Sequence, residues 1–259
     1  MTYLTPGGFR LANDPCLQRR CSLLHVRGKS NVFFKAAWGG CLLIDQFLIL
    51  GLDENATDVA IEEAFRYLNR HLNPSNFQFG SFAEKQAQLC MSRIVPAYQV
   101  LRDAAERSKA RQELQPEGKD SFAPGDFKPF LGHICVAAGI ISLADLNEAI
   151  DKQTDIDLPL GQILQEKQLL SQTELDGLLM GQRLYGAPMK PLDAVTRRLL
   201  TIGVVSRDMV KIVLIDQRTS MKSLPELLAQ RGWLDGQVGR ILQQQLEEAS
   251  AGSQSGSPT

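Results

Sequence analysis

The chain has 259 residues, of which 44% are hydrophobic, and its 28 basic and 29 acidic residues leave a formal net charge of −1. This apolar content excludes a wholly disordered chain, and the balanced charge disfavours a strongly basic nucleic-acid-binding protein. At roughly 150 residues per domain the length predicts about two domains, and the five cysteines, with no recognisable secretory signal before them, are expected to be free thiols in a cytoplasmic protein.

The first 45 residues carry only a weak pattern, because prolines and glycines divide them into short pieces, and we predict no particular fold for segment 1–45. The most apolar run of the chain lies at residues 41–52. It is about a dozen residues long and contains Asp45, whereas a membrane-spanning helix needs about 20 apolar residues. We therefore expect a buried helix or strand here, and no membrane span.

Residues 46–112 show the apolar spacing of helices. Apolar side chains recur three and four residues apart in two stretches, at Ile61, Ala64, Phe65 and Leu68 and at Ile94, Ala97, Tyr98 and Leu101. Thr57 is placed to cap the first helix, and Asn73-Pro74-Ser75 stands between the two stretches. The pattern predicts a helical hairpin.

The order of these features, and above all residues 97–103 (Ala-Tyr-Gln-Val-Leu-Arg-Asp), resembles the J domain of DnaJ-type cochaperones. In that family the hairpin loop carries His-Pro-Asp, which contacts the 70-kDa heat-shock chaperone and promotes its ATP hydrolysis. The resemblance places this triplet on Asn73, Pro74 and Ser75, so the carboxylate that would make a charge-assisted contact is lost. His71 lies upstream and is expected on the helix. We predict a degenerate J-like domain over 46–112 that keeps the fold and has lost the cochaperone activity.

Two stretches are predicted to lack regular structure. Residues 113–127 are polar and contain two prolines and two glycines, which is typical of a linker. Residues 249–259 are mostly Gly, Ser and Pro without an apolar run, and we expect a disordered tail there.

The C-terminal half contains four copies of one sequence unit. Units 1 and 2, at 130–153 and 159–182, have 24 residues each and share a Leu-Gly pair, an apolar pair followed by Ser, and a final Gln. Unit 3 (194–217) and unit 4 (223–245) are diverged copies. The chain is therefore predicted to hold a repeat pair at 128–186 and a second, diverged pair that covers 187–248.

Each unit predicts a short helix followed by a second helix that begins after a Ser. Ser142 with Asp145, and Ser171 with Glu174, have the spacing of capping boxes. A single unit has too little area to fold alone, so the units are expected to pack in pairs.

The Leu-Gly pair, the apolar pair, the final Gln and the spacing of units 1 and 2 resemble the N-terminal domain of type II secretion and type IV pilus assembly ATPases, the GspE/MshE N-domain. The likeness is good over 130–182 and loose over 194–245. The chain has no Gly-x-x-x-x-Gly-Lys-Ser/Thr loop, so the resemblance does not extend to nucleotide hydrolysis.

Some members of that family bind cyclic di-GMP along the paired units, with an Arg just before each Leu-Gly. The resemblance implies a candidate nucleotide site at Leu131, Gly132, Ile140, Ile141, Gln153, Leu160, Gly161, Leu169, Leu170 and Gln182. Phe130 and Pro159 stand where the family has the Arg, and neither replaces a guanidinium. The alternative is that all ten residues determine the fold, with the leucines as core and the glycines permitting close helix packing.

No pattern of an enzyme stands out. His25, His71 and His133 are scattered, and neither they nor the cysteines have the spacing of metal ligands. We expect no catalytic set, no metal and no cofactor other than cyclic di-GMP as a ligand.

The sequence thus predicts a mainly α protein that combines a J-like helical hairpin with two pairs of GspE-N-like repeats. We expect a non-enzymatic cytoplasmic adaptor or regulator that acts through protein–protein interaction. The alternatives are a cyclic di-GMP-binding effector that uses 130–182, and an atypical J-domain cochaperone. The family of the repeats points to pilus, secretion or motility machinery as the setting of the unknown protein partner, with no nucleic acid bound.

Overall fold

A computed structural model of the chain describes residues 45–114, 124–156, 158–184 and 191–254. Within these ranges the chain forms twelve α-helices and no strand, so the predicted mainly α fold is confirmed. The N-terminal segment lies outside the described residues, apart from Asp45.

The first four helices are α1 (Gln46–Leu50), α2 (Asp58–His71), α3 (Phe82–Arg102) and α4 (Ala104–Leu114). α2 and α3 pack together as the predicted hairpin, with a short 3-10 helix, Pro74–Asn76, between them. Thr57 caps α2 as predicted, because its Oγ1 accepts the Ala60 N–H at 3.2 Å. The apolar run at 41–52 contains α1, whose residues Phe47, Ile49 and Leu50 are buried.

The repeat units supply α5 (Leu131–Ala137), α6 (Leu143–Asp155), α7 (Leu160–Glu166), α8 (Gln172–Leu184), α9 (Ala194–Ile202), α10 (Arg207–Gln217), α11 (Leu224–Gln230) and α12 (Gly236–Gln254). Each unit is a short helix followed by a longer one. The packing within a pair is reciprocal, since α5 lies on α8 and α7 lies on α6. The second pair repeats this arrangement, with α9 on α12 and α11 on α10.

Two predicted boundaries differ from the structure. The linker expected at 113–127 is helical at its start, where α4 continues to Leu114, and ends in a 3-10 helix, Pro124–Phe127, whose Phe127 is buried. Residues 115–123 lie outside the described part. The tail expected to be disordered from residue 249 is helical as far as Gln254, because α12 continues beyond unit 4.

The hydrophobic core joins segments that are far apart in the sequence. One cluster combines the J-like segment with the second repeat pair and includes Ile61, Leu68, Ile94, Leu199 and Leu242. A second cluster lies within the first repeat pair, and Ile212 of α10 extends into it. The predicted segments 46–112 and 187–248 therefore share one core and do not fold as separate bodies, although the first repeat pair lies between them in the chain.

Arg198 lies at the centre of this shared core and is completely buried. Its Nε donates to the Ile49 carbonyl and its Nη1 to the Leu242 carbonyl, both at 3.1 Å. Burial lowers the pKa of the Arg198 guanidinium to about 9, so the side chain is charged at neutral pH. One side chain of α9 thus holds the last turn of α1 and the middle of α12.

The chain leaves room for this contact at Gly51, which ends α1 with a φ of 70°. A Cβ at Gly51 would overlap the Gln245 side chain and lie 2.8 Å from Arg198 Nη1. Glycine is required here twice, once for the left-handed backbone and once for the close approach of the guanidinium.

Replacement of Arg198 by Ala is expected to lower the free energy of unfolding by about 3 kcal/mol, because two buried carbonyls lose their donor and a cavity opens. Urea denaturation followed by circular dichroism measures the change. Arg240 is the matched control, since it is exposed on α12 and donates to the Gly236 carbonyl. Arg240→Ala should cost no more than about 0.5 kcal/mol. Equal losses in the two variants would contradict the central role of Arg198.

All four units pass from the short to the long helix through the same turn. A backbone N–H donates to the carbonyl five residues earlier at 2.9–3.0 Å, in the pairs Ile140–Cys135, Leu169–Leu164, Val204–Leu199 and Trp233–Leu228. The preceding residue has a positive φ in every unit: Gly139 (73°), Gln168 (57°), Gly203 (86°) and Gly232 (72°). This is the Schellman ending of a helix, for which glycine is the favoured residue.

Gln168 is the exception in this set, and among the described residues it is the only one other than glycine with a positive φ. We expect Gln168→Gly to raise the free energy of unfolding by about 0.5–1 kcal/mol, because a side chain strains the left-handed backbone. The mirror substitution Gly139→Gln should lower it by about 1 kcal/mol. Urea denaturation measures both changes in the free energy of unfolding. A less stable Gln168→Gly variant would contradict the prediction that the backbone at Gln168 is strained.

Candidate functional site

The triplet Asn73-Pro74-Ser75 lies in the hairpin loop, where the sequence places it, and is closed by its own hydrogen bonds. The Asn73 Oδ1 accepts the Ser75 N–H at 3.0 Å and the Ser75 hydroxyl at 2.8 Å. Asn76 Nδ2 donates to the Arg70 carbonyl at 2.7 Å and ties the loop to α2. The loop is therefore ordered by neutral groups that satisfy one another, and the triplet presents no carboxylate to a partner.

The same end of the hairpin exposes two aromatic side chains. Phe79 is 93% exposed and Phe82, the first residue of α3, is 48% exposed, whereas Phe77 turns inward and is buried. The sequence patterns did not predict that Phe79 and Phe82 are exposed. The loop composition indicates it, because aromatic residues on both sides of Gln78 in a short polar loop cannot all belong to the core.

A groove of about 530 Å³ lies along the outer side of α2, between it and parts of α3 and α4. The Tyr98 ring stacks on the Phe65 ring at a centroid distance of 3.9 Å. The Tyr98 hydroxyl donates to Glu62 Oε2 at 2.6 Å, and this hydrogen bond to a carboxylate raises the pKa of Tyr98. Arg66 pairs with Glu62 at 3.6 Å, and Val59 is 64% exposed at the edge. The groove offers both signs of charge beside an apolar edge.

The two Leu-Gly pairs of the candidate nucleotide site face each other. A Cβ at Gly132 would overlap Leu146 and lie 3.2 Å from a Leu160 methyl group, and a Cβ at Gly161 would lie 3.7 Å from a Leu131 methyl group. Each leucine thus fills the space beside the glycine of the other unit. This contact gives both pairs a packing role, which is the alternative that the sequence left open.

The other six candidate residues are divided between core and surface. Ile141 and Leu170 are buried, and the remaining four are partly buried: Ile140, Gln153, Leu169 and Gln182. Gln153 Nε2 donates to the Leu158 carbonyl at 3.0 Å and so closes the loop between units 1 and 2. The predicted capping boxes are present. The N–H of Ser142 and of Ser171 donates to the carboxylate three residues on, and the backbone N–H of that acidic residue donates to the Ser hydroxyl.

Phe130, just before the Leu-Gly pair of unit 1, lies next to a cation from another unit. Lys211 Nζ of α10 lies 4.9 Å from the Phe130 ring centroid. It also pairs with Asp208 at 3.5 Å, and Asp208 accepts His133 Nε2 at 2.9 Å. The Phe130 N–H donates to His133 Nδ1 at 2.9 Å, so the imidazole proton is on Nε2. These groups pair with one another at the contact between the two repeat pairs.

Arg231 strengthens the same contact between the repeat pairs. Its guanidinium holds Asp216 with two hydrogen bonds of 2.5 and 2.8 Å. It also donates to the carbonyls of Val136 and Ala137 at 3.4 and 3.2 Å, at the end of α5. Trp233, beneath this guanidinium at 5.4 Å, packs against both core clusters.

The thiols of the described part are poor candidates for a nucleophile. Cys90 and Cys135 are free and buried, as expected for small apolar residues, and burial raises the pKa of Cys90 to about 12 and that of Cys135 to about 11. A reactive cysteine needs a lowered pKa. Among the described residues no group of His, Cys, Asp and Glu is arranged to hold a metal ion.

Comparison with protein-family models, with curated proteins and with solved structures finds no match to this chain. The two resemblances in the sequence therefore stay predictions. None of the helices in the described ranges combines the length and the apolar character needed to cross a membrane.

Gly132→Ala is expected to lower the free energy of unfolding by about 1–3 kcal/mol, because its Cβ would displace the buried Leu146 side chain. The control is Gly181→Ala in α8, where no described atom lies within 4 Å of the added Cβ. That variant should gain about 0.5–1 kcal/mol from helix propensity. Thermal unfolding of both variants checks the prediction, and a shift of the same sign in both would contradict it.

Proposed function

We propose that this protein is a non-enzymatic cytoplasmic adaptor that binds a partner protein with the loop end of its J-like hairpin. The observation that carries the proposal is the exposure of Phe79 and Phe82 beside the Asn73-Pro74-Ser75 loop. Exposed aromatic side chains supply much of the binding energy in protein interfaces, and a monomer gains nothing from leaving Phe79 in water.

The opposite side of the hairpin is held firmly by the second repeat pair. Gln86 of α3 is buried, donates to the Trp233 carbonyl at 2.9 Å, and accepts the Asp235 N–H at 2.8 Å. These hydrogen bonds fix α3 on the repeats, and Arg198 holds α1, which packs on α3, to the same repeat pair. The loop end is therefore presented by a rigid base, which lowers the entropy cost of binding a partner.

The geometry favours an adaptor over a cochaperone. In the loop, Asn73 and Ser75 hydrogen-bond to each other, and the large side chains exposed beside them are the Phe79 and Phe82 rings. An apolar contact suits a hydrophobic patch on a partner, whereas a carboxylate would be needed for a charge-assisted contact with a cationic one.

The test is affinity capture from the source organism by the full chain and by Phe79→Ser/Phe82→Ser, with quantitative mass spectrometry. At least one captured protein should fall by about tenfold or more with the double variant, since lost hot-spot aromatics cost over about 1.4 kcal/mol. Met221→Ser is the matched control, because Met221 is fully exposed in the connection between α10 and α11. Capture of the same proteins at the same levels by all three chains would overturn the proposal.

Two further measurements distinguish the alternatives from this proposal. A stoichiometric calorimetric response to cyclic di-GMP, lost on Leu131→Ala, would assign the effector function to the first repeat pair. An increase in the ATPase rate of a 70-kDa heat-shock chaperone on addition of the protein, made larger by Asn73→His with Ser75→Asp, would assign the cochaperone function.

A further inference from the structure

The outer face of α8 is poor in charge at its centre and carries an apolar side chain in water. Leu175 is buried and Gln182 partly buried on the side that faces α5. At 100° per residue the opposite side of the helix carries Thr173, Gly177 and Met180. All three are exposed, and Met180 is exposed to 68%.

The glycines of α8 have no packing partner among the described residues. Gly177 and Gly181 have no described atom within 4 Å of an added Cβ, although glycine weakens a helix interior more than any residue except proline. Gly132, Gly161 and Gly239 in other repeat helices each lie against a leucine side chain, whereas Gly236, the first residue of α12, also has open space beside it. The α8 glycines therefore leave the outer backbone of this helix open to the close approach of another surface.

The spacing on this face suits an antiparallel copy of the same helix. Thr173, Gly177 and Met180 follow at intervals of four and three residues, which is the spacing of a coiled-coil seam. In an antiparallel pair the Met180 side chain of one copy lies over Gly177 of the other. The twofold axis repeats this contact, so the large side chain meets the open backbone twice.

The charges along one edge of the seam are also self-complementary. Asp176 and Arg183 are both exposed and lie seven residues apart on that edge. In the antiparallel pair Asp176 of each copy lies beside Arg183 of the other, which forms two ion pairs. A parallel pair would place Asp176 near Gly181 and leave these charges without partners.

We propose that the outer face of α8 is a self-association surface that binds the α8 helix of a second copy in the antiparallel direction. Two helices of this length bury less than the roughly 800 Å² per partner of a standard interface. The dimer is therefore weak and depends on concentration. The surface is independent of the proposed adaptor contact, which lies at the loop end of the hairpin.

Sedimentation equilibrium of the full chain tests the proposal from about 5 μM to about 500 μM, the range in which a small interface dissociates. We expect a reversible monomer–dimer equilibrium that weakens by about tenfold or more with Gly177→Leu or with Met180→Glu at the centre of the seam. Gly177→Leu has room for its side chain and a better helix propensity, so the fold is retained. The control Gln243→Leu, at an exposed site on α12, should leave the equilibrium unchanged.

A charge exchange tests the direction of the two helices. Asp176→Arg alone and Arg183→Asp alone should each weaken the dimer, and the double variant should restore it, because the two ion pairs re-form with their signs exchanged. A monomer at every concentration would overturn the proposal, as would a double variant no tighter than the single ones. Phe79→Ser/Phe82→Ser should leave dimerisation unchanged, so the self-association proposal and the adaptor proposal can be rejected independently of each other.

Discussion

The burial of one guanidinium with no carboxylate partner among the described residues is the constraint on which this architecture depends. Arg198 reaches the carbonyls of Ile49 and Leu242 and so joins α1, α9 and α12. The end of a helix carries a partial negative charge on its free carbonyls, which is what makes the contact with α1 favourable. Because Gly51 leaves the space, the first helix and the second repeat pair close around the same charge.

At the contact between the two repeat pairs an arginine again donates to carbonyls at a helix end, but in a more solvent-exposed position. Arg231 donates to the carbonyls at the end of α5, but it is partly exposed and shares its charge with Asp216. Short helices have a large share of unpaired terminal carbonyls, and the five-residue α1 and seven-residue α5 both receive an arginine there. The arginine charge is thus compensated by backbone carbonyls of α1 and α12 in the core, and by a carboxylate nearer the surface.

The repeated unit stabilises the pair that it builds. In the first pair the Leu-Gly contact, the Schellman turn and the capping Ser all act between residues of the pair itself, and the same turn recurs in the second pair. What the construction leaves outside differs between the pairs. Within the described part, α12 is covered by α2 and α3, while the outer face of α8 is exposed and the loop end of the hairpin keeps its two phenylalanines in water. Both surfaces carry exposed apolar side chains.

Local structure follows from the amino-acid sequence alone. The Thr57 cap, the Ser142 and Ser171 boxes and the helices of the four units depend on residues within about five positions of one another, which a sequence pattern records. The burial of Arg198 is visible only in the folded chain, because a lone arginine on a helix has the pattern of a solvent-exposed position. It also decided that the J-like segment shares its core with the second repeat pair, and that Phe77 is buried while Phe79 is exposed. These outcomes rest on contacts between residues far apart in the chain, and hydrophobic spacing indicates which faces are apolar but not which of them meet.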